Sequence, residues 1–237
     1  MEPSLASAVP VVELKRAGKV YRAGGNLVTA LHEADLTLTK SSFTAIVGRS
    51  GCGKSTLLNL AGAVDLPSSG EVRIEQRSTR DMNDDELSCL RRTRIGFVFQ
   101  FFNLLPTLTV EENVGLPLLL DLKRVSAKRA AELRKRVMEL LEMVGLVEKA
   151  ARFPHQLSGG EMQRAAIARA LVHQPSVVIA DEPTGNLDSG NALTVLRLLQ
   201  QISREMGHTV LMATHSREAA DAASRVLSMR DGRLLPS

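Results

Sequence analysis

The clearest chemistry in this chain of 237 residues lies between Gly48 and Thr56. Gly48-Arg49-Ser50-Gly51-Cys52-Gly53-Lys54-Ser55 fits G-x-x-x-x-G-K-[ST], between an apolar run at Phe43 to Val47 and a helical pattern that starts near Lys54. Glycines let such a loop curl so that its N–H groups converge on phosphate oxygens. The helix start adds its positive end. Lys54 is expected to reach the outer phosphates and Ser55 to hold Mg²⁺. A second acidic element follows a buried run: Val177-Val178-Ile179-Ala180-Asp181-Glu182-Pro183. Acids at the carboxyl end of a strand stand at the ligand edge of a parallel sheet. Asp181 suits the shell of a hard cation, and Glu182 suits activation of an attacking water. The alternative for this pair is a solvated acidic turn.

A third stretch, Leu157-Ser158-Gly159-Gly160-Glu161, has two readings. Ser158 and Glu161 form a capping box, which is structural. A helix start with bare N–H groups is also an anion site. Because the chain already has one phosphate cradle, a second is most useful when it closes on the nucleotide of another copy.

These residues need elements to position them. Strands are expected at Val11 to Tyr21 and Leu31 to Leu38 around a turn at Gly24-Gly25-Asn26, then at Phe43 to Val47, Glu71 to Glu75 and Ile95 to Phe99. Helices are expected at Lys54 to about Ala63 and at Asp84 to Arg94. From Phe101 to about Phe153 strand signals are scarce. There Ser126 can cap a helix whose apolar positions Leu133, Val137, Leu140, Leu141 and Val144 recur at helical spacing up to Gly145. Alternation resumes with a helix from Ser158 to about Leu171, a strand at Val177 to Ala180, a helix at Asn191 to Met206 and a strand at Thr209 to Ala213. A hairpin follows around Asp231-Gly232. Such alternation predicts a mainly parallel, helix-covered sheet, and 101–157 reads as an inserted helical subdomain.

Composition narrows the class. Net charge is +4, densest between Lys123 and Arg136, and aromatics make up 3% with one Tyr and no Trp, which disfavours nucleic-acid recognition by base stacking. Two cysteines, Cys52 and Cys89, read as free thiols in a reducing compartment. The start, Met1 to Pro10, reads as a loose tail without a signal-peptide pattern. The longest apolar run, Leu116 to Leu122, is broken by Pro117 and Asp121, so any membrane role is expected to go through a partner.

In this order, the phosphate loop, the Leu157-Ser158-Gly159-Gly160-Glu161 stretch, the Asp181-Glu182 pair and an isolated His215 resemble the nucleotide-binding domain of ABC transporters, over about Val11 to Leu234. The resemblance implies an α/β P-loop NTPase of ABC type: a mainly parallel core over 11–100 and 158–237, an N-terminal antiparallel β region and the helical subdomain. It implies ATP and Mg²⁺ as ligands and a head-to-tail dimer with two ATP molecules between phosphate loop and signature helix. Tyr21 resembles the aromatic that stacks on adenine, Gln100 the glutamine that senses Mg²⁺ and the attacking water, and His215 the switch histidine near the γ-phosphate. Asp188, in Gly185-Asn186-Leu187-Asp188, resembles the loop that links the two sites.

Three stretches narrow the branch: Phe97 to Pro106, Leu108 to Val114, and Asp181 to Ser189. They are similar to the lipoprotein-release and macrolide-efflux (LolD/MacB-type) branch. That similarity implies an integral-membrane partner of the FtsX/MacB type, work at the cytoplasmic face of the inner membrane, and docking of the partner's helix near Phe101, Phe102, Leu104 and Leu105. Soluble ABC-type ATPases acting on DNA or ribosomes, and nucleotide-controlled signalling subunits, are the competing readings. Arg49 and Cys52 depart from the usual loop residues at variable positions, and Cys52 is expected to make the site thiol-sensitive. Ser216 stands where an acid is usual, and serine is expected to cap the next helix equally well.

Overall fold

The structure is a computed structural model that describes residues 9–120 and 126–235. Most of the expected tail at 1–10, the end of the 116–122 run and residues 123–125 of the basic stretch lie outside the described residues.

The chain begins with a long hairpin, β1 (Pro10–Ala23) and β2 (Asn26–Thr39), turned at Gly24 and Gly25, both with positive φ. β2 starts five residues before the expected Leu31. Residues 26–29 are all exposed, so no apolar alternation marks them, but pairing of Tyr21 with Val28 and Arg22 with Leu27 holds them extended. β1 also pairs with β4 (Ser69–Ile74), and β4 with the two-residue β5 (Arg77–Ser78), which the sequence pattern does not show. These four strands form an antiparallel sheet in the order β2-β1-β4-β5.

The second sheet holds the site. Its order is β10-β9-β3-β8-β7-β6, from β3 (Phe43–Val47), β6 (Ile95–Phe99), β7 (Val177–Asp181), β8 (Thr209–Thr214), β9 (Arg225–Arg230) and β10 (Arg233–Leu235). All neighbours are parallel except the β9-β10 hairpin. Both faces are covered, as a parallel sheet requires. Along β8, Val210 and Met212 enter one core while Leu211 and Ala213 enter the other. The first core contains α3 (Val110–Leu119), α4 (Ala127–Met143), α5 (Gly159–Leu171) and α6 (Ser189–Arg204). The second contains α1 (Lys54–Ala61), α2 (Asp84–Arg94) and the antiparallel sheet.

Helix ends follow local chemistry. α2 starts at a capping box of Asn83 and Glu86, carries three acids in its first turn and three arginines in its last, and so matches its dipole at both ends. α4 is capped by Ser126 and ends before Gly145, as expected. α6 starts two residues before the expected Asn191, because the Asp188 side chain accepts from the Asn191 N–H and closes the first turn there. It also ends at Arg204, before the expected Met206, with Gly207 at positive φ. α1 is shorter than expected, stopping at Ala61 with Gly62 as its cap.

Candidate functional site

Parallel register alone aligns the chemistry. Val47 is opposite Thr214, Phe99 opposite Asp181, and Asp181 opposite Ala213. The next residues of these strands are Gly48, Gln100, Glu182 and His215. Four segments far apart in sequence therefore leave the sheet at one edge, where ligands bind in open α/β sheets.

The phosphate loop wraps the start of α1. Gly51 and Gly53 sit at φ +76° and +106°, a region closed to most side chains. At Gly53 a Cβ would also lie 2.5 Å from the Ala30 carbonyl oxygen. The β9-β10 turn pins the loop, with the Gly232 N–H donating to the Cys52 carbonyl at 2.9 Å. Lys54 is 5% exposed. Its ammonium donates to the carbonyls of Gly48 (2.8 Å) and Arg49 (3.1 Å) and lies 3.7 Å from Glu182 Oε1. It is thus held in the loop, poised toward the space where outer phosphates would sit. Cys52 is buried and Cys89 exposed, both unpaired. Cys52 lines, with Arg49, Ser50, His215 and Arg217, a cleft of about 670 Å³.

Glu182 adopts φ +48°, and its N–H donates to Ala213 O at 2.9 Å. That bond draws it to the end of β8, where His215 Nδ1 is 2.8 Å from Glu182 Oε2. Each carboxylate oxygen therefore faces one cationic or donor group. A carboxylate in this position can accept a proton from water, and the histidine can hold it in place. Asp181 is more enclosed. Burial pushes its carboxyl above the usual range, and the Glu182 charge adds to this, while the Ser55 hydroxyl and the Lys54 ammonium oppose it. A desolvated carboxylate beside the Ser55 hydroxyl is a hard-oxygen pair that fits Mg²⁺.

Two expected partners face elsewhere. The Gln100 carboxamide donates to Asn186 Oδ1 at 3.3 Å, and Asn186 returns a bond to the Gln100 carbonyl at 3.1 Å. Gln100 is thereby tied to the 185–188 loop rather than to Ser55 or Asp181. Ser158 caps α5 in a reciprocal box with Glu161 (2.8 and 3.3 Å). The Ser158 N–H holds the Glu161 carboxyl below its usual range. Ser158 is exposed, and no hydrogen bond or ion pair among the described residues joins 158–161 to the phosphate loop. Gly160 packs under Asn191, with a Cβ there meeting Asn191 Oδ1 at 2.1 Å, and Asn191 in turn donates to Asp188 at 2.6 Å. Asp188 therefore both caps α6 and anchors the signature helix. Ser216 caps α7 (Arg217–Ala220) through the Ala219 N–H at 3.1 Å.

Tyr21 reaches the site from β1. Its hydroxyl donates to Asp65 Oδ2 at 2.9 Å. Sequence reasoning passed over Asp65, Lys19 and Arg169. Arg169, on α5, donates to the carbonyls of Phe102 and Asn103, two residues at positive φ that follow Gln100. Nothing in the pattern around Arg169 distinguishes it from an ordinary helix arginine.

Comparison with known proteins agrees with this geometry. Residues 31–185 match the family model described as ABC transporter. The chain is 44% identical over 223 residues to an uncharacterized ABC transporter ATP-binding protein, MJ0796, of Methanocaldococcus jannaschii, covering 94% of each chain. It is 43% identical to the lipoprotein-releasing system ATP-binding protein LolD of Bordetella pertussis, over 96% of each. It is 42% identical to 33% of the macrolide export ATP-binding/permease protein MacB of Chlorobaculum tepidum. Among solved structures, the dimeric post-hydrolysis state of MJ0796 bound to ADP and Pi superposes with a TM-score of 0.86 at 42% identity, covering 95% of this chain and 97% of that one. The chain belongs to the ABC transporter family, as a subunit that binds and hydrolyses ATP.

Proposed function

We propose that two copies of this chain close head to tail on two ATP molecules and that the closure drives an integral-membrane permease of the MacB/LolC type. The observation that carries the dimer is the start of α5. Its capped N-terminus is presented outward at Ser158 and makes no bond to the chain's own phosphate loop. A second copy can bring this N-terminus to the γ-phosphate from the side opposite Lys54, and that the similar cassette MJ0796 is dimeric supports pairing of two copies.

In this reading Gly48 to Thr56 cradle the phosphates and Lys54 turns from its carbonyl partners to the β- and γ-oxygens. Tyr21 stacks on the base. Glu182, held by His215, accepts the proton of the water that attacks phosphorus, as the bond to ADP breaks. Ser55 and Asp181 would hold Mg²⁺, with Gln100 joining them once its carboxamide releases Asn186, and the ion when bound would neutralise charge on the phosphate oxygens.

Among the described residues no helix is long and apolar enough to cross a membrane. An open groove of about 610 Å³ runs beside Phe97, Phe99, Pro117 and Leu120, with Arg91 and Arg169 at its rim. Phe101 nearby is 72% exposed. An amphipathic cytoplasmic helix of the permease suits this apolar, basic-rimmed groove, which would set the chain at the cytoplasmic face of the membrane. The names of the relatives, LolD and MacB, support that partner class.

The test is Glu182→Gln. ATP should still bind, turnover should fall by about 10²–10⁴-fold, and light scattering should show a dimer that persists with ATP. Wild-type turnover would overturn the role of Glu182. A monomer at saturating ATP would overturn the dimer. Permease dependence is read separately, by co-purification with a membrane protein and stimulation of ATPase rate by it.

A further inference from the structure

We propose that Asp65 is a positioning residue for the nucleotide base, holding the Tyr21 ring, together with Lys19, in the orientation on which the base stacks. The inference rests on the reading of Tyr21 as the stacking aromatic, and the experiment below separates the two.

Both oxygens of Asp65 are engaged. Oδ2 accepts from the Tyr21 hydroxyl at 2.9 Å. Oδ1 accepts from the Lys19 ammonium at 2.5 Å and from the Leu66 N–H at 2.8 Å. Lys19 donates a second bond to Leu66 O at 2.8 Å and places its Nζ 5.1 Å from the centre of the Tyr21 ring. The ring is thus fixed at its hydroxyl and covered by a cation near one face, so a flat ligand has the other face to use. The Thr56 side chain also interacts with the Tyr21 oxygen. Burial and the neighbouring Asp65 keep the Tyr21 hydroxyl protonated by raising it above its ordinary value, as its donor role requires. Burial would raise the Asp65 carboxyl, but the Lys19 and Tyr21 donors outweigh it and keep it below its ordinary value, hence charged.

Placement gives this cluster its function. Asp65 lies four residues past the end of α1, and its own N–H is tied back to Asn59 O in that helix at 3.2 Å. The first turn of α1 carries Lys54, Ser55 and Thr56. Asp65 therefore links the strand that supplies the base platform to the helix that supplies the phosphate site, and sets the separation between them. For stability alone such a mostly enclosed ion pair contributes little, because the cost of taking its charges out of water offsets their attraction. For binding, an aromatic already locked in place has less freedom to lose when the base arrives.

The experiment uses the full chain with four proteins: wild type, Tyr21→Ala, Asp65→Ala and the double variant. Calorimetry measures affinity for ATP and for inorganic tripolyphosphate, which has no base, and steady-state ATPase assays separate KM from kcat. Asp65→Ala should weaken ATP about three- to tenfold, part of the value of one base stack, and leave tripolyphosphate unchanged. The loss should appear in KM and not in kcat. The double variant should be no weaker than Tyr21→Ala alone. Tyr21→Phe, which keeps the ring and loses the hydroxyl, should behave as Asp65→Ala does. Equal weakening of ATP and tripolyphosphate by Asp65→Ala would overturn the proposal, as would unchanged ATP affinity where Tyr21→Ala weakens it. If Tyr21→Ala itself leaves ATP affinity unchanged, the stacking role falls and the clamp with it. Should Asp65→Ala fail to fold, Asp65→Asn and Lys19→Met decide the matter by the same ATP-to-tripolyphosphate comparison.

Discussion

Asp181 and Glu182 are adjacent carboxylates placed in different surroundings. Glu182 turns through a left-handed residue to meet Lys54 and His215. Asp181 stays in the strand, where burial disfavours its charge and Ser55 is its hydroxyl donor. A carboxyl raised above its unfolded value contributes stability at low pH, and that contribution is lost as pH rises through the folded value. In the nucleotide-free protein, ionising Asp181 therefore costs more than in the unfolded chain, and a bound cation would offset that cost. Asp181→Asn keeps an oxygen for the Ser55 hydroxyl and removes the charge. The nucleotide-free variant should melt higher than wild type, by about 2–4 °C for each kcal/mol relieved, while its Mg²⁺-dependent turnover collapses. Differential scanning calorimetry without nucleotide checks this, and a lower melting temperature in the variant would reject the account. The expected thiol sensitivity of Cys52 meets a physical obstacle at the same scale. The residue is only 8% exposed, and its sulfur would lie 2.6 Å from a Cβ at Gly48, so reagents reach it only through the small part that faces the cleft.

At the scale of elements, the loop between β3 and α1 depends on two glycines for different reasons. Gly51→Ala meets no atom within 4 Å and is strained only by its φ of +76°. Gly53→Ala adds to its φ of +106° a collision with the backbone of Ala30 on β2. Gly51→Ala should cost about 1 kcal/mol and Gly53→Ala at least about 2–3 kcal/mol. Urea unfolding measures both, and ATP affinity should fall more for Gly53→Ala. Equal costs would show that the contact with β2 relaxes freely. These elements were legible in the sequence where burial and capping leave a pattern. β3 and β6 are apolar runs with turn or loop signals at their ends, and α2 spans the Asp84 to Arg94 stretch expected of it. What was not legible comes from long-range contact. The first residues of β2 are exposed and extended only because β1 pairs with them. Lys19 and Asp65 meet across 46 positions. Gln100 turns toward Asn186, 86 positions away, and no local periodicity encodes that choice. The phosphate loop, Asp181, Glu182 and His215 were legible because each immediately follows or ends a buried strand, and parallel register does the rest.

Across the whole molecule, the parallel sheet separates chemistry from support. Its carboxyl edge carries the candidate nucleotide site, and its amino edge carries two enclosed histidines. His173 Nε2 donates to Ile95 O at 3.1 Å, at the start of β6, and His208 Nδ1 donates to Pro175 O at 2.6 Å, just before β7. Burial lowers both below the ordinary 6.5, with each other's charge adding at His173 and Arg136 adding at His208. Among the described residues His173 Nδ1 is buried without a hydrogen-bond partner, so a proton there would bring charge to an unsolvated atom. The sign follows directly. Between the folded and unfolded values the unfolded chain binds more protons, so stability rises with pH in that window. The contribution of these histidines is complete above about 6.5 and is lost as pH falls below it. Urea midpoints should therefore be lower at pH 5.5 than at pH 7.5 (roughly one unit either side of the histidine range). His208→Asn, which keeps a donor for Pro175 O but cannot titrate, should reduce that difference, and combining it with His173→Gln should reduce it further. Because the two histidines lie at the edge of the sheet away from Lys54 and Glu182, the variants should keep wild-type ATP affinity at pH 7.5. A midpoint difference of wild-type size in the double variant would place the acid sensitivity in other groups.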